Sequence, residues 1–428
     1  MDAVIRPSAV AGEVTPPPSK SDTHRYLIAS ALADGGHIDS PLDSADTRTT
    51  GHALDALGAQ VDWSDGYAKV TNFHGGRPSP ASSPIDCANS GTTLRFACGL
   101  CALTDGTSTL TGDSSLRRRP NGPLLDAIVD LGGTAQSEPG DGTAPLVIGG
   151  PMRGGHVTIP GSVSSQFVSS LLFAGGLTDD GIGIDLSSSL ISRPYAELTK
   201  VILGRFGIEV TTTSGGYHVA GGQRFTSPSG GITIDADPTA VSYLLAAGVL
   251  AGDDTVTVTD VGRRGAVESP ILDLLEQMGI GIEREGQRGT VAHGEIRPGQ
   301  YDLAEAPDLL PTIAVLAGLA DGTSTIVNIE HARYKETDRI AATADFLRHL
   351  GVPVTERPDG LLIRGQPEGL SGGSVDSRGD HRIAMAAAVA GLIADGPVTI
   401  RGADCVEVSF PRFFETLEAL GASVTYPA

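Results

Sequence analysis

The segment "LEALGASVTY" at residues 417–426 is an apolar, helix-like run that ends at a glycine and continues as a strand-like run. Glycine just past a helix end adopts a left-handed backbone without steric cost. The pattern recurs five times, in "LDALGAQVDW", "LDAIVDLGGTAQ", "VILGRFGIEVTT", "LLEQMGIGIERE" and "FLRHLGVPVTE". The six glycines are about seventy residues apart: Gly58, Gly132, Gly207, Gly279, Gly351 and Gly421.

A second pattern keeps the same interval and consists of a helix end, an Asp/Gly turn and a strand. Its copies are "ALADGGHID", "ALTDGTSTLTG", "GLTDDGIGID", "VLAGDDTVTVT", "GLADGTSTIVN" and "LIADGPVTIRG". Together the two patterns predict an α/β protein of six repeats, each read as strand, helix, strand, helix, strand. Six repeats in 428 residues favour two lobes of three repeats each.

Pro/Gly-rich stretches near residues 16 and 228 are the candidate crossings between the lobes. We therefore predict a first lobe at 16–230. The predicted second lobe comprises 1–15 and 231–428, with an N-terminal strand added to three repeats that begin near Ile232.

The net charge of −21 disfavours a nucleic-acid or anionic-membrane partner, because like charges repel. No segment approaches the roughly twenty apolar residues of a membrane span, and the N-terminus lacks a signal-peptide pattern. A cytoplasmic protein is expected. An acid-rich surface with few lysines suits a high-salt cytosol and predicts a halophilic origin. The lysines are Lys20, Lys69, Lys200 and Lys335.

Cys98 and Cys101 form a Cys-x-x-Cys pattern inside the apolar run "LRFACGLCAL". No second pair of ligands accompanies them, and the chain has only two other cysteines, Cys87 and Cys405. Buried core thiols are favoured over a zinc or redox site.

Several predicted helices begin with hydroxyl, amide and cationic side chains. Serine, asparagine and aspartate are ordinary N-caps. A cation in the first turn is different, since the helix dipole disfavours it by a few tenths of a kcal/mol or more. Arg339 and Arg382 occupy such first turns, which indicates that an anion binds there. The starts are "PSKSDTHR", "NSGTTLR", "GSVSSQF", "SRPYAEL", "KETDRIA" and "GDHRIAMA".

The stretch "EHARYKETDRI" at residues 330–340 is the densest cluster of charge and contains one of the few lysines. It is either a solvated charged turn, the common explanation of such runs, or part of an anion-binding centre.

In these motifs, together with "RRRPNGPLLDA" and "ISRPY", the chain resembles the enolpyruvyl transferase family over nearly its whole length. The resemblance implies a two-lobed inside-out α/β barrel of six βαβαββ repeats. It also implies a monomer without cofactor or metal that moves the enolpyruvyl group of phosphoenolpyruvate. The acceptor implied is the 5-hydroxyl of shikimate 3-phosphate.

Two alternatives stay open. A sister enzyme acts on UDP-N-acetylglucosamine, but its usual cysteine is missing from the loop "TGDSSLRRRP". A non-enzymatic phosphate- or RNA-end-binding protein is disfavoured by the net charge and by the paired carboxylates Asp308 and Glu336.

The resemblance also implies roles for individual residues, with the shikimate 3-phosphate side in the first lobe and the catalytic carboxylates and phosphoenolpyruvate side in the second. The implied catalytic residues are Asp308, Glu336 and Lys20. The residues implied to bind shikimate 3-phosphate are Lys20, Ser21, Arg25, Ser164, Ser165, Gln166, Ser192, Tyr195, Asp308, Lys335 and His331. Those implied to bind phosphoenolpyruvate are Lys20, Asn89, Gly91, Arg119, Gln166, Arg339 and Arg382. Val408 stands where some members carry a phosphate-binding lysine, and His331 where some carry asparagine.

Overall fold

The computed structural model describes residues 1–262 and 270–427. The chain divides into a central unit, Pro18–Asp235, and a terminal unit, Met1–Pro17 with Ala236–Ala428. The boundary predicted near residue 230 lies close to this division. Ile232–Thr233, where the sequence predicts the start of the last three repeats, is a strand paired in parallel with Ile38 and Asp39 of the central unit.

The terminal unit begins with strands β1 (Ala3–Arg6) and β2 (Val10–Val14). The helices of the central unit are α1 (Lys20–Leu32), α2 (Ala45–Ala56), α3 (Gly91–Cys101), α4 (Gly122–Asp130), α5 (Ser165–Gly175) and α6 (Arg193–Arg205). Its strands are β3 (Gly36–Asp39), β4 (Gln60–Ser64), β5 (Tyr67–Thr71), β6 (Ile85–Asp86), β7 (Thr107–Thr111), β8 (Thr134–Ser137), β9 (Leu146–Gly149), β10 (Gly155–Ile159), β11 (Ile182–Leu186), β12 (Val210–Thr212), β13 (Gly216–Val219) and β14 (Ile232–Thr233).

The terminal unit continues with helices α7 (Pro238–Ala251), α8 (Ile271–Gln277), α9 (Leu310–Ala317), α10 (Arg339–His349), α11 (His381–Gly391) and α12 (Phe413–Ala419). Its further strands are β15 (Gly252–Val258), β16 (Glu283–Glu285), β17 (Arg288–Val291), β18 (Gln300–Asp302), β19 (Thr323–Val327), β20 (Val354–Arg357), β21 (Gly360–Arg364), β22 (Gly373–Asp376), β23 (Val398–Arg401) and β24 (Ser423–Thr425). None of the helices in the described ranges is long and apolar enough to cross a membrane.

The described strands form six four-stranded sheets of one topology. In each sheet the two strands at one edge are parallel and the other pairs are antiparallel, as in β18-β19-β21-β20 and in β16-β17-β15-β2, where the parallel pair is β15 with β2. This pattern confirms the βαβαββ repeat. Three repeats take a strand from a distant part of the chain. Strand β14 supplies the first strand of the sheet β14-β3-β5-β4, and β1 and β2 each join a sheet of the terminal unit. The N-terminal segment thus contributes two strands rather than the single one predicted.

The glycines of the repeated pattern have the predicted backbone. All six have positive φ, between 79° at Gly207 and 108° at Gly421. They lie at or just past a helix end in the left-handed region, where any other residue would be strained. The pattern that identified the repeats is therefore a set of helix terminators.

Three apolar helices form the centre of the terminal unit. Every residue of α9 and α11 is buried, and most of α7 is buried as well. These helices pack against one another. Because the helices are buried on all sides, charged side chains occur in them only in a first turn, and Asp237, Asp308 and Asp380 all lie just before a first residue. In the central unit Cys87, Cys98 and Cys101 are buried free thiols, as predicted.

Candidate active site

Helices α10 and α11 both have an aspartate N-cap and an arginine in the first turn. Asp338 caps α10, whose first residue is Arg339. Asp380 caps α11 by accepting a hydrogen bond from the backbone N–H of Arg382 at 3.0 Å. Both arginines therefore lie in first turns, as the sequence predicted.

Three carboxylates surround the guanidinium of Arg339, whose side chain is only 1% exposed. Its Nη1 donates to Asp308 Oδ1 at 2.5 Å, its Nη2 to Glu336 Oε2 at 2.5 Å, and its Nε to Asp380 Oδ2 at 2.7 Å. A cation in this first turn indicated a bound anion. The structure provides three protein carboxylates that compensate the unfavourable position, so the position of Arg339 alone does not require a bound anion.

Asp308 is shared among three cations. It lies in the short 3-10 turn Pro307–Leu309 that leads into α9. Besides Arg339, Asp308 contacts Arg382 at 3.0 Å and the Lys335 ammonium at 3.8 Å. Lys335 is the most exposed of the three cations, at 30%. We call Asp308, Lys335, Glu336, Arg339, Asp380 and Arg382 the carboxylate–guanidinium cluster.

The charged groups of the cluster shift one another's pKa. Burial opposes the charge of Arg339, but Asp380, Glu336 and Asp308 outweigh it and raise the pKa of the guanidinium. Burial raises the pKa of Asp380, and Glu336 adds to this against the opposing effect of Arg339. Arg339 is thus a fixed cation, and Asp380 depends on it to remain ionised inside the protein.

His331 lies beside this cluster as a neutral side chain. Burial, followed by the nearby charge of Lys335, lowers its pKa to about 4. The residue is 6% exposed, and its Nε2 has no hydrogen-bond partner within residues 1–262 and 270–427. A neutral imidazole with one unused nitrogen can still donate or accept one hydrogen bond.

The stretch at 330–340 divides into two kinds of residue. Arg333 pairs with Asp338 at 2.7 Å and with Glu356 at 2.9 Å, and Asp338 also caps α10. These two are structural. Lys335, Glu336 and Arg339 belong to the carboxylate–guanidinium cluster, so part of the run is more than a solvated turn.

In the central unit, Lys20 is the first residue of α1 after the N-cap Ser19. Its ammonium lies 3.1 Å from Asp46 Oδ2, and both side chains are largely buried. The sequence reasoning did not single out Asp46. An aspartate in a first turn is common, and nothing local indicates a lysine partner 26 residues away.

Arg25 connects α1 to α6. Its Nε donates to Thr199 Oγ1 at 2.7 Å, and its two Nη groups donate to the carbonyls of Ser21 and Tyr195 at 2.9 and 3.0 Å. The guanidinium also lies over the ring of Phe96. The structure thereby brings together three residues that the resemblance assigns to one substrate: Ser21, Arg25 and Tyr195.

The start of α3 lies beside Arg119. Arg119 Nη2 donates to Asn89 Oδ1 at 2.6 Å. A Cβ atom at Gly91 would come within 3.0 Å of Arg119 Nη1, so the glycine permits this close approach. Asn89, Gly91 and Arg119, which the resemblance implies bind phosphoenolpyruvate, are adjacent.

Gln166 is held at the start of α5. Its Oε1 accepts a hydrogen bond from Arg95 Nη1 at 2.7 Å, and its Nε2 donates to Thr92 Oγ1 at 3.0 Å. Its backbone N–H is capped by the side chain of Ser164. The sequence placed Arg95 and Thr92 at a helix start without a role, because contacts some seventy residues apart leave no local signal.

Two further serines lie at these helix starts. Ser165 is the buried first residue of α5. Ser192 precedes α6 with φ +50° and ψ 38°, a left-handed conformation that costs roughly 1–3 kcal/mol for a residue with a side chain. Its side chain makes no capping hydrogen bond, and the residue is 4% exposed. Strain of this kind is common at ligand sites.

The 3-10 turn that contains Val408 has no lysine or arginine to replace the phosphate-binding lysine of some family members. Val408 ends the 3-10 turn Ala403–Val408, and the nearby Arg412 is exposed and paired with Glu415 at 2.6 Å. Arg412 is therefore already engaged on the surface.

The fold is an α/β architecture built from six repeats, and several of its helices begin with clustered cationic and hydroxyl side chains. Both features are typical of a class of proteins that bind small, multiply charged anions. The family model described as "EPSP synthase (3-phosphoshikimate 1-carboxyvinyltransferase)" matches residues 4–417. The chain belongs to this family.

Individual proteins that are similar to this chain belong to the same family. A 3-phosphoshikimate 1-carboxyvinyltransferase of Halobacterium salinarum is 50% identical over 427 residues, covering 99% of both chains. One of Halorubrum lacusprofundi is 45% identical, covering 99% of this chain and 98% of that one. The solved EPSP synthase of Acinetobacter baumannii aligns with a TM-score of 0.83 at 26% identity, covering 99% of this chain and 100% of that one. The predicted fold class and family are confirmed.

Proposed function

We propose that the protein is a transferase that moves the enolpyruvyl group of phosphoenolpyruvate to the 5-hydroxyl of shikimate 3-phosphate. The products are 5-enolpyruvylshikimate 3-phosphate and inorganic phosphate. Membership in the EPSP synthase family, with relatives of that name at 45–50% identity over the full chain, supports the reaction.

The reaction needs three events. The methylene carbon of phosphoenolpyruvate gains a proton, the acceptor hydroxyl attacks the neighbouring carbon and loses its own proton, and the tetrahedral adduct then expels phosphate as the methyl group returns a proton. Such chemistry calls for two positioned acid–base groups and for cations that hold anionic substrates together. The carboxylate–guanidinium cluster, with Asp308 and Glu336 both on Arg339, is the observation that carries the proposal.

In the absence of substrate, Asp308 and Glu336 are paired with Arg339, and a neighbouring opposite charge favours the charged form of a carboxylate. A carboxylate held in this way is a poor base. Phosphoenolpyruvate bound to Arg339 and Arg382 would compete with Asp308 for the same donors. We infer that substrate binding itself increases the proton affinity of Asp308 and Glu336. Asp308 then accepts the hydroxyl proton, and Glu336 protonates the methylene carbon.

The other roles rest on the resemblance and on the local geometry. Arg25 and Ser21 would hold the shikimate carboxylate, and Ser164, Ser165 and Ser192 the 3-phosphate, with Gln166 and Tyr195 nearby. Lys335 and His331 would contact the hydroxyls. Phosphoenolpyruvate would contact Lys20, Asn89, Gly91, Arg119, Gln166, Arg339 and Arg382. The prealigned Asn89–Arg119 pair and the strained Ser192 support these assignments.

We also propose a monomer in the cytoplasm of a salt-adapted cell, with no nucleic-acid partner. The acidic composition and relatives from Halobacterium and Halorubrum support salt adaptation.

Release of inorganic phosphate tests the function directly. Purified protein receives phosphoenolpyruvate with shikimate 3-phosphate, with shikimate, or with UDP-N-acetylglucosamine, and a fourth sample contains phosphoenolpyruvate alone. We expect rapid phosphate release only with shikimate 3-phosphate. Preference for UDP-N-acetylglucosamine would favour the sister enzyme. No release from any pair, with retained binding of short RNA in a filter assay, would favour the binding protein.

A further inference from the structure

Four buried side chains of the central unit form a hydrogen-bonded chain that leads from α1 to the start of α3. His24 Nδ1 lies 2.7 Å from Thr50 Oγ1, which lies 2.6 Å from Thr93 Oγ1. Thr93 Oγ1 donates to Ser90 Oγ at 2.8 Å. Each of the four residues is at most 2% exposed. Helices α1, α2 and α3 are thereby linked through hydroxyl groups and one imidazole.

The direction of this chain follows from proton counting. A threonine hydroxyl has one proton to donate. Thr93 uses its proton on Ser90, so Thr50 must donate to Thr93. Thr50 then has no proton left for His24, and His24 must donate from Nδ1. His24 is therefore the Nδ1–H tautomer.

His24 is also fixed as a neutral ring. Burial, then the charges of Lys20 and Arg25, lower its pKa well below the usual value. Its Nε2 is buried and accepts no hydrogen bond. Because the neutral ring has one tautomer, every hydrogen bond of the series is donated in the same direction, from His24 towards Ser90. Hydrogen bonds aligned in one direction strengthen one another.

The chain ends at a residue that shapes the candidate phosphate site. Ser90 is the N-cap of α3 and accepts a hydrogen bond from the backbone N–H of Thr93 at 3.2 Å. Its neighbours are Asn89, which is bonded to Arg119, and Gly91, which is packed against Arg119. Fixing the Ser90 side chain therefore fixes the backbone turn between those two residues.

We propose that His24 is a positioning residue that acts through Thr50, Thr93 and Ser90 to hold the Asn89–Gly91 turn in its anion-binding geometry. The expected effect on phosphoenolpyruvate rests on the proposed function. Residues assigned to the phosphate of shikimate 3-phosphate lie on other helix starts, at Ser164, Ser165 and Ser192. Breaking the chain should therefore weaken phosphoenolpyruvate binding selectively.

The tautomer is tested without turnover, by NMR of protein labelled with ¹⁵N-histidine. The His24 signals are assigned by their loss in His24→Asn. We expect a protonated Nδ1 and an unprotonated Nε2 for His24. A protonated Nε2 would reverse the chain and overturn the proposal. Because this readout needs no substrate, its failure is distinct from failure of the proposed function.

Kinetics test the positioning role with Thr50→Val and Thr93→Val, which keep side-chain shape and remove the hydroxyl. Each should raise the KM for phosphoenolpyruvate by roughly 5–10-fold, the effect of one lost hydrogen bond. The KM for shikimate 3-phosphate should stay within about twofold. The KM for phosphoenolpyruvate of the double variant should rise no more than that of either single variant, since one lost hydroxyl already interrupts the hydrogen-bonded chain.

The matched control is Thr49→Val, since Thr49 is buried on the same helix and its hydroxyl donates to the backbone carbonyl of Ala45 rather than to a member of the hydrogen-bonded chain. His24→Asn, whose amide can donate to Thr50 in place of Nδ1–H, should retain most phosphoenolpyruvate affinity, whereas His24→Leu should not. Equal effects of Thr49→Val and Thr50→Val, or parallel loss of affinity for both substrates, would overturn the positioning role.

Discussion

Asp308 Oδ1 lies 2.5 Å from Arg339 Nη1, and the same guanidinium donates to Glu336 at 2.5 Å. The two proposed acid–base groups are therefore bridged by one buried cation. Any event that changes the charge at Arg339 reaches both carboxylates at once. This shared cation explains how an anionic substrate could convert two ionised carboxylates into proton carriers.

Glu336→Gln should lower kcat by roughly 10²–10⁴-fold, the usual contribution of a positioned acid–base group. The amide keeps the shape but cannot carry the proton. Affinity for shikimate 3-phosphate, measured by calorimetry, should change little. Glu330→Gln is the matched control, because Glu330 is exposed in the neighbouring turn. Near-normal turnover of Glu336→Gln would return this residue to a structural role.

Arg339→Met should lower the free energy of unfolding by about 3–5 kcal/mol, because Asp380 would remain as an uncompensated buried charge. Urea unfolding measures the loss. The control is Arg333→Met, which removes a partly exposed pair with Asp338 and Glu356 and should cost about 0–1 kcal/mol. Equal losses in the two variants would contradict a buried ionic role for Arg339.

His331 predicts a specific pH dependence of stability. Its pKa is about 4 in the folded protein, below the ordinary value, so between those two values the unfolded state binds more protons. The contribution of neutral His331 is present above about pH 6.5 and is lost as the pH falls toward 4. From pH 7.5 to 5, wild type should lose up to about 2 kcal/mol more unfolding free energy than His331→Asn. Identical losses in urea titrations would contradict the depressed pKa.

Salt should stabilise the protein. A net charge of −21 creates self-repulsion that counterions screen. The melting temperature should rise steadily between 0.1 and about 2 M KCl, the range in which screening becomes complete. A flat or falling melting temperature in a calorimetric series would count against salt adaptation.

The sequence was informative where the physics is local. Glycines such as Gly58 and Gly421 identified the repeats because a left-handed helix end favours glycine wherever it occurs. The first-turn positions of Arg339 and Arg382 were predictable for the same reason, since capping patterns span only a few residues.

What was missed depends on contacts between distant residues. Asp380 resembles any N-cap, yet it also neutralises Arg339 from 41 residues away. Strand β14 pairs with β3, from which it is separated in sequence by most of the central unit. No local pattern could therefore show that the boundary between the units lies after β14. The partner of Lys20, Asp46, was missed for the same reason.

The central claim is that the methylene carbon of phosphoenolpyruvate is protonated during transfer to shikimate 3-phosphate. Its most direct test is the reaction in heavy water, followed by mass spectrometry and proton NMR of the product. The account predicts an enolpyruvyl ether of shikimate 3-phosphate with deuterium in its methylene group, because that carbon passes through a methyl group. Release of phosphate with free pyruvate as the product, or an enolpyruvyl ether without deuterium, would contradict it.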